Sequence, residues 1–512
     1  MLVDSGQEWT FDSLEEMFME VERIAKEKFK LNTYPNQIDV INSEQMLDAY
    51  AAVGLPIYYN HWSFGQQFVR EQEMYRRGQM GLAYEIVINS SPCISYLMEE
   101  NTMMMQTLVT AHAAFGHNHF FKNNYLFKQW TDAEAIIDYL SFAKKYIREC
   151  EERYGTEEVE RVLDACHTLD SYGVDKYRRP SSLSASQEEA LRKEREDYLQ
   201  SQLNDIWRTI PVTKDEVSET KPNFPPSPEE NILYFIEKNA PNMEPWKREV
   251  IRIVRKIAQY FYPQGQTKVM NEGCATFFHY EIMHALYDEG KLTDGAMLEF
   301  YHSHTGVVFQ PGFDDKQRYS GINPYTLGFA MMQDIKRVAI EPTDEDREWF
   351  RGQDWVGRGD WVDTIHWAIE NFKDESFIHQ FLSPHTMRDL RLFAYIDDEQ
   401  DPQYEITGIH NHTGYRKVRD SLSKQYNIGY RVPDIQVNHV DRWGDRSLEL
   451  KHFMVDGRPL DKKSTKEVLN YVAYLWGYDV RLLSVDPNNE TRAVYEMSEG
   501  DTTVDVYMEE DD

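Results

Sequence analysis

"EENTMMMQTLVTAHAAFGHNHFFKNN", Glu99 to Asn124, is the stretch on which the reading of this chain turns. An apolar run of helical length ends in three histidines, His112, His117 and His119, in a chain that has 16 histidines in all. At 3.6 residues per turn, Asn101, Met105, Leu108, His112, Phe115 and His119 share one stripe, so His112 points where the helix buries its apolar face. His117 lies well round the helix from His112. Gly116 is a candidate helix end, after which a loop would swing His117 and His119 back towards His112. Glu99 and Glu100 open the helix, where carboxylates suit the positive end of the dipole.

A second stretch, "NEGCATFFHYEIMHAL" (Asn271 to Leu286), supplies a carboxylate and an imidazole seven residues apart, Glu272 and His279. They share a helix face, with the small Ala275 and Thr276 between them leaving room for a guest. Two helical turns rise about 10.5 Å, a long reach for two ligands of one ion. One of the pair is therefore expected to orient a ligand rather than to bind metal. His284 points elsewhere. In "YHSHTGVVFQP", His302 and His304 are two apart and would share a face of a strand. Neutral imidazoles and carboxylates converging in a pocket suit zinc, or alternatively iron. The candidate ligands are His112, His117, His119, Glu272, His279, His302 and His304; the alternative is a set of separately packed histidines.

Other residues carry weaker signals. Glu85 lies inside "LAYEIVIN" (Leu82 to Asn89), an apolar run that reads as a strand, where a carboxylate is costly unless paired. In "NPYTLGFAMMQDIKR", Asn323 reads as a helix cap and Tyr325 as a candidate donor to substrate. Neither a phosphate-binding GxxxxGK[ST], nor a GxGxxG after a strand, nor GxSxG is present. The usual marks of an NTPase, a dinucleotide-binding dehydrogenase and an α/β-hydrolase are thus missing.

Composition narrows the class. Hydrophobic residues make up 41% and aromatics 13% of 512 residues, ample for buried cores. A formal net charge of -32 repels phosphate backbones, which argues against nucleic-acid and anionic-membrane partners. The short basic runs, Lys176 to Arg179 and Arg192 to Arg195, read as solvated faces. Four cysteines without a CxxC pair suggest reduced thiols. With no signal peptide and no apolar run of about 20 residues, the expectation is a soluble cytoplasmic protein without integral membrane association.

Four blocks are expected. Residues 1–174 form a helical block with the histidine motif, opened by "WTFDSLEEMFMEVERIAKEKF" behind a Thr or Asp cap. Residues 175–228 form a polar, Pro-rich helical arm or linker. Residues 229–396 form a second helical block that completes the site. Residues 397–512 form a small α+β domain, with "IQVNHVD", "RSLELKHFMVDG" and "YDVRLLSVD" as strands, "TKEVLNYVAYLWG" as a helix, and an acidic tail. The fold class is mainly α with mixed α+β, a helical core built from two blocks plus a short sheet.

Several long strings resemble one family. "GLAYEIVINSSPCISYLMEENT", "AHAAFGHNHFFKNNYLF", "MNEGCATFFHYEIMH", "HSHTGVVFQP" and "GINPYTLGFAMMQDIKR", with "LPIYYNHWSFG" and the C-terminal "RSLELKH", closely resemble the stage V sporulation protein R family of bacteria. The resemblance covers nearly the whole chain and points to the enterobacterial, non-sporulating branch. It implies a link to stationary-phase and stress responses, with a serine protein kinase and a von Willebrand A-like protein as partners. In spore formers it implies work on the spore cortex, a peptidoglycan layer. A fainter likeness is to gluzincin metallopeptidases: "HAAFGH" followed by "EGCATFFHYE" is similar to their two helical histidines and later glutamate. That likeness implies His112, His117 and Glu272 as ligands of a divalent metal in an amide hydrolase. Ala113 stands where the general-base glutamate would be, so either another carboxylate, Glu85 or Glu99, would activate water, or water activation would not occur. The competing expectations are a non-catalytic partner in a kinase signalling complex and a non-haem iron oxidoreductase.

Overall fold

The computed structural model describes residues 2–51, 58–59, 61–62, 85–176, 224–313, 315, 318–319, 321–396, 405–408 and 411–498. Most of the expected polar arm, the two short basic runs (Lys176 apart), and the acidic tail lie outside them. The architecture is mainly helical with small sheets, as the apolar periodicity implies. The chain divides into two compact units: Met1–Asp164 with Lys256–Val432, and Ala165–Arg255 with Pro433–Asp512.

The first unit is built on helices. Helix α1 (Phe11–Glu27) starts at a capping box in which Thr10 Oγ1 accepts from Ser13 N and Ser13 Oγ accepts from Thr10 N. Its Met17, Val21 and Ile24 enter one continuous core with residues of the histidine helix and of the Glu272 helix. Each such side chain contributes about 1.5–3 kcal/mol by leaving water. The histidine helix begins with α2 (Met103–Thr110), whose N-cap is Thr102, so Glu99 and Glu100 precede the helix in a turn. It does not end at Gly116. Residues Ala111–His117 form a π-helical stretch that runs straight into α3 (Asn118–Asn123).

The second long helix, α4 (Lys268–Asp288), is buried along most of its length. Its first turn is held by Asp374, whose two carboxylate oxygens accept from the N–H groups of Val269 and Met270, each at 2.9 Å. These are donors that a helix start otherwise leaves unmatched. Helices α5 (Asp294–Val307) and α6 (Pro324–Ile340) follow, with N-caps Thr293 and Asn323. Three glycines set the packing. A Cβ on Gly328 of α6 would lie 2.1 Å from Val269 O, and one on Gly273 of α4 would lie 2.5 Å from the Gly328 backbone. A Cβ on Gly116 would lie 2.5 Å from Ala275 Cα. Helix α4 is therefore clasped on one side by α6 and on another by the π-helical stretch. The room that the small Ala275 was expected to leave for a guest is filled by the backbone of Gly116.

A three-stranded sheet lies against the π-helical stretch. Strands β1 (Asn36–Ile41) and β3 (Cys93–Met98) pair in parallel, and β2 (Glu85–Ile88) pairs antiparallel to β3 with Glu85 opposite Leu97. Alternation along β2 sends Ile86 into a small satellite core with Met46, Leu47 and Met98. Val87, on the face it shares with Glu85, packs on the main core instead.

The second unit is an α+β module. Strands β6 (Asp434–Val440), β7 (Leu448–Phe453), β8 (Val480–Val485) and β9 (Thr491–Met497) form one sheet in that order, counted after the β4–β5 hairpin (Ala394–Ile396 and Glu405–Gly408) of the first unit. The β7–β8 pair is parallel, and the crossover is the helix Lys462–Trp476, which starts at the Asp461 cap and stops at Gly477 with φ +82°. Only glycine takes that conformation readily, which is why "LWG" ends the helix.

Candidate metal centre

The π-helical stretch is what brings the two histidines together. A five-residue step in an α-helix turns a side chain far from its starting face, whereas a π-turn takes in an extra residue and returns it. His112 and His117 accordingly lie edge to face with ring centroids 4.6 Å apart. Both Nε2 atoms are aimed at Glu272 of α4: Oε2 is 3.9 Å from His112 Nε2 and 3.5 Å from His117 Nε2. Glu85 reaches in from the end of β2, with Oε1 at 3.6 Å from His112 Nε2. One ligand atom each from Glu85, His112 and His117 can be chosen so that all lie within 4.8 Å of one another.

His112 Nε2 of that group and Glu272 Oε2 beside it are buried and have no hydrogen-bond partner. Each such group costs about 1–3 kcal/mol if it stays unmatched. A cation between them would satisfy both at once, and a donor set of imidazole nitrogen and carboxylate oxygen suits zinc or iron. The residues present therefore fit a divalent metal.

Electrostatics agree with that use. Burial, followed by the neighbouring imidazoles of His117, His279 and His304, pushes His112 well below its ordinary range. His279 is pushed down likewise, by burial and then by His304 and His117. Burial lowers His304 to about 4. These rings are neutral at pH 7, the form in which imidazole binds metal. Glu85 is pushed up to about 8, by burial first and then by the charge of Glu272, so in the metal-free site it holds a proton at neutral pH.

The two candidate rings are oriented from behind. Asn271, one residue before Glu272, accepts at Oδ1 from His117 Nδ1–H at 2.9 Å, leaving the Nε2 lone pair of His117 facing Glu272. His112 Nδ1 is hydrogen-bonded to His279 Nδ1 at 2.9 Å, so the second histidine of the Glu272 helix sits behind His112 instead of beside Glu272. His279 Nε2 is in turn bonded to His304 Nδ1 at 2.9 Å. The ring of Tyr325, near the start of α6, lies nearly parallel to that of His112 at 6.4 Å.

The remaining candidates are placed elsewhere. His302 and His304 do not share a strand face: they lie on the helix α5, where a two-residue step separates them, and His302 is exposed while His304 is buried. His119 faces away from the cluster. Its Nδ1 accepts from Asn32 N and Asn123 Nδ2, each at 3.0 Å, and burial pushes it down to about 3. Glu99 is exposed in the turn after β3, where its backbone carbonyl accepts from Trp9 Nε1. His284 bonds Tyr280 O and the Tyr301 hydroxyl. Reading the sequence alone missed Asn271 as an orienting residue. Its place beside Glu272, on a helix facing two histidines, was the available signal.

Fold and site together define a mainly helical protein with a buried histidine–carboxylate group that could hold a metal ion. The chain matches the family model described as SpoVR like protein over residues 8–431 and the SpoVR-like C-terminal domain over residues 433–487. It belongs to the SpoVR family. It is 58% identical over 482 residues to a protein of Escherichia coli (strain K12) described as "Uncharacterized protein YcgB", across 94% of this chain and 93% of that one. No solved structure matches. Among the described residues, no helix is long and apolar enough to cross a membrane.

Proposed function

We propose that this protein is a metal-dependent hydrolase of an amide bond in a peptide or peptidoglycan-related substrate, serving stationary-phase and stress physiology or, in spore-forming relatives, sporulation. The observation that carries the reading is the pair of buried, unmatched atoms, His112 Nε2 and Glu272 Oε2, facing one another beside His117 and Glu85. His112, His117 and Glu272 would hold the ion, with zinc favoured over iron by the imidazole-rich set. A divalent ion at such a centre supplies Lewis acidity towards a carbonyl and towards water.

The chain's own residues supply the rest. Asn271 fixes the tautomer of His117. Glu85 offers the carboxylate that Ala113 does not, from a strand instead of from the histidine helix. Burial is the larger cause that holds the Glu85 proton and the charge of Glu272 the smaller; a cation beside Glu272 would offset the smaller one, and Glu85 Oε1 is placed to take a proton from water and return it to the leaving amine. Strand β2 is an edge of the three strands described, so an extended chain could pair along it and pass Glu85.

The test is to incubate zinc-loaded protein with a peptide library and with muropeptides, and to read new amino termini by mass spectrometry. Cleavage that a chelator abolishes, and that His112→Ala lacks, is expected. No cleavage of either class by protein shown to carry its metal would overturn the hydrolase reading and favour a signalling complex with a kinase and a von Willebrand A-like protein.

A further inference from the structure

The hydrogen bonds His112 Nδ1···His279 Nδ1 and His279 Nε2···His304 Nδ1, both 2.9 Å, join three imidazoles from three helical segments into one chain that starts at the proposed metal centre. All three side chains are buried: His112 is 3% exposed, His279 2% and His304 4%. A neutral imidazole carries one N–H and one bare nitrogen. Each bond needs one of each, so the three tautomers are not independent. Only two settings satisfy both bonds. In one, His304 Nδ1–H donates to His279 Nε2, His279 Nδ1–H donates to His112 Nδ1, and His112 carries its proton on Nε2. In the other, every donor and acceptor is exchanged.

We infer that this chain is a tautomeric relay in which occupancy of the proposed centre sets the proton position on His304, two hydrogen bonds away. The inference rests on the reading of His112 as a ligand through Nε2. Without an ion, the carboxylate of Glu272, 3.9 Å from His112 Nε2, favours a proton on that nitrogen. His112, once its Nε2 is given over to a cation, must carry its proton on Nδ1 and donate to His279. His279 must then donate from Nε2 to His304 Nδ1, and His304 is left with its proton on Nε2. The balance is complete: one proton leaves His112 Nε2 for solvent, one crosses each hydrogen bond, and one is taken up from solvent at His304 Nε2. None of the three rings changes its charge. His279 and His304 are thus positioning residues for the ligand nitrogen. His304 stands at the outer end, beside the rings of Tyr280 and Phe329.

Selective labelling with 15N-histidine tests this in the full chain, because protonated and bare ring nitrogens are resolved by their 15N shifts. Signals are assigned through His279→Gln and His304→Phe, and zinc uptake is measured on the same samples. With zinc, His279 and His304 are expected to carry their protons on Nε2; without it, on Nδ1. Zinc uptake with unchanged tautomers at His279 and His304 would overturn the relay and leave the ligand reading intact. No zinc uptake would overturn both. His279→Phe, which can neither accept nor donate, is expected to weaken zinc binding roughly 10–100-fold. His279→Gln, whose amide can accept from His112 and donate to His304, is expected to restore most of it. Equal weakening by Phe and Gln would show that His279 only fills space and would overturn its positioning role.

Discussion

Glu85 is a carboxylate at the start of an otherwise apolar strand, and the strand's alternation turns it to the same side as Val87, towards the core. Its neighbours there are His112 Nε2 and the charge of Glu272. A Glu85→Gln variant keeps the volume and loses the proton-accepting oxygen. It should therefore retain metal while amide hydrolysis falls roughly 10²-fold or more, read as kcat against metal content in one preparation. Unchanged kcat with metal bound would remove Glu85 from the chemistry. At this scale the sequence was only partly legible. A lone acid among β-branched residues stands out, and so does an "NEG" ahead of a small-residue helix. The pairing of His112 with His117 was expected from a loop after Gly116 and from the gluzincin likeness, but the π-turn that makes it was not, because a five-residue step has no place in a 3.6-residue repeat and nothing in "HAAFGH" announces the extra residue. The alternation in "YHSHTG" misleads in the opposite way: it looks like a strand, but Thr293 caps a helix that runs through it.

Helix α4 holds the site because its neighbours touch it backbone to backbone. Gly328 meets Val269 and Gly273, and Gly116 meets Ala275. A methyl group at 328 has no space to enter, so Gly328→Ala should destabilise the first unit by about 3 kcal/mol or more, read by denaturant unfolding. It should also displace Glu272, so metal binding should weaken even where the variant remains folded. A variant as stable as the parent would show that the crossing is looser than these contacts imply. Further along α6, Arg337 reaches the buried Asp346 with two bonds, Nη1 to Oδ2 at 2.7 Å and Nη2 to Oδ1 at 2.9 Å. Burial works to raise Asp346, but Arg337 and the capping bonds of Thr343 outweigh it and hold the carboxyl at about 2. A depressed carboxyl stabilises the folded state above its unfolded value, about 4, and that contribution is lost as pH falls from there towards about 2. Arg337→Met should therefore cost about 3 kcal/mol at pH 7, and the difference from the parent should shrink as pH is lowered through that window. A difference independent of pH would mean that packing, and not the ion pair, is what Arg337 supplies. Element types were the most legible level: Thr10 and the Gly477 of "LWG" mark their helix ends in the sequence, while the Asp461 cap lies ahead of the helix read there. The last strand, "TRAVYEM", escaped notice because it follows a turn-rich stretch and carries charges on its exposed face.

At the level of the whole chain, mainly helical architecture with a sheet-bearing module was legible from periodicity, because long stretches of helical spacing outnumber the short alternating ones, even though one short stretch such as "YHSHTG" misleads. Membership of the SpoVR family follows from strings that span almost the entire length. Whether the two helical blocks share one core was not legible in the sequence, although a joint site demanded it. The structure places Met1–Asp164 and Lys256–Val432 together, and Glu85, His112, His117 and Glu272 all fall within that unit. The central claim is that these side chains form a metal centre. The most direct measurement is elemental analysis of untagged protein, wild type beside His112→Ala and Glu272→Ala, with folding checked by circular dichroism. Near-stoichiometric zinc or iron in the wild type, lost from both folded variants, is the predicted result. Wild-type protein that takes up no divalent metal, even after anaerobic loading, would contradict the account.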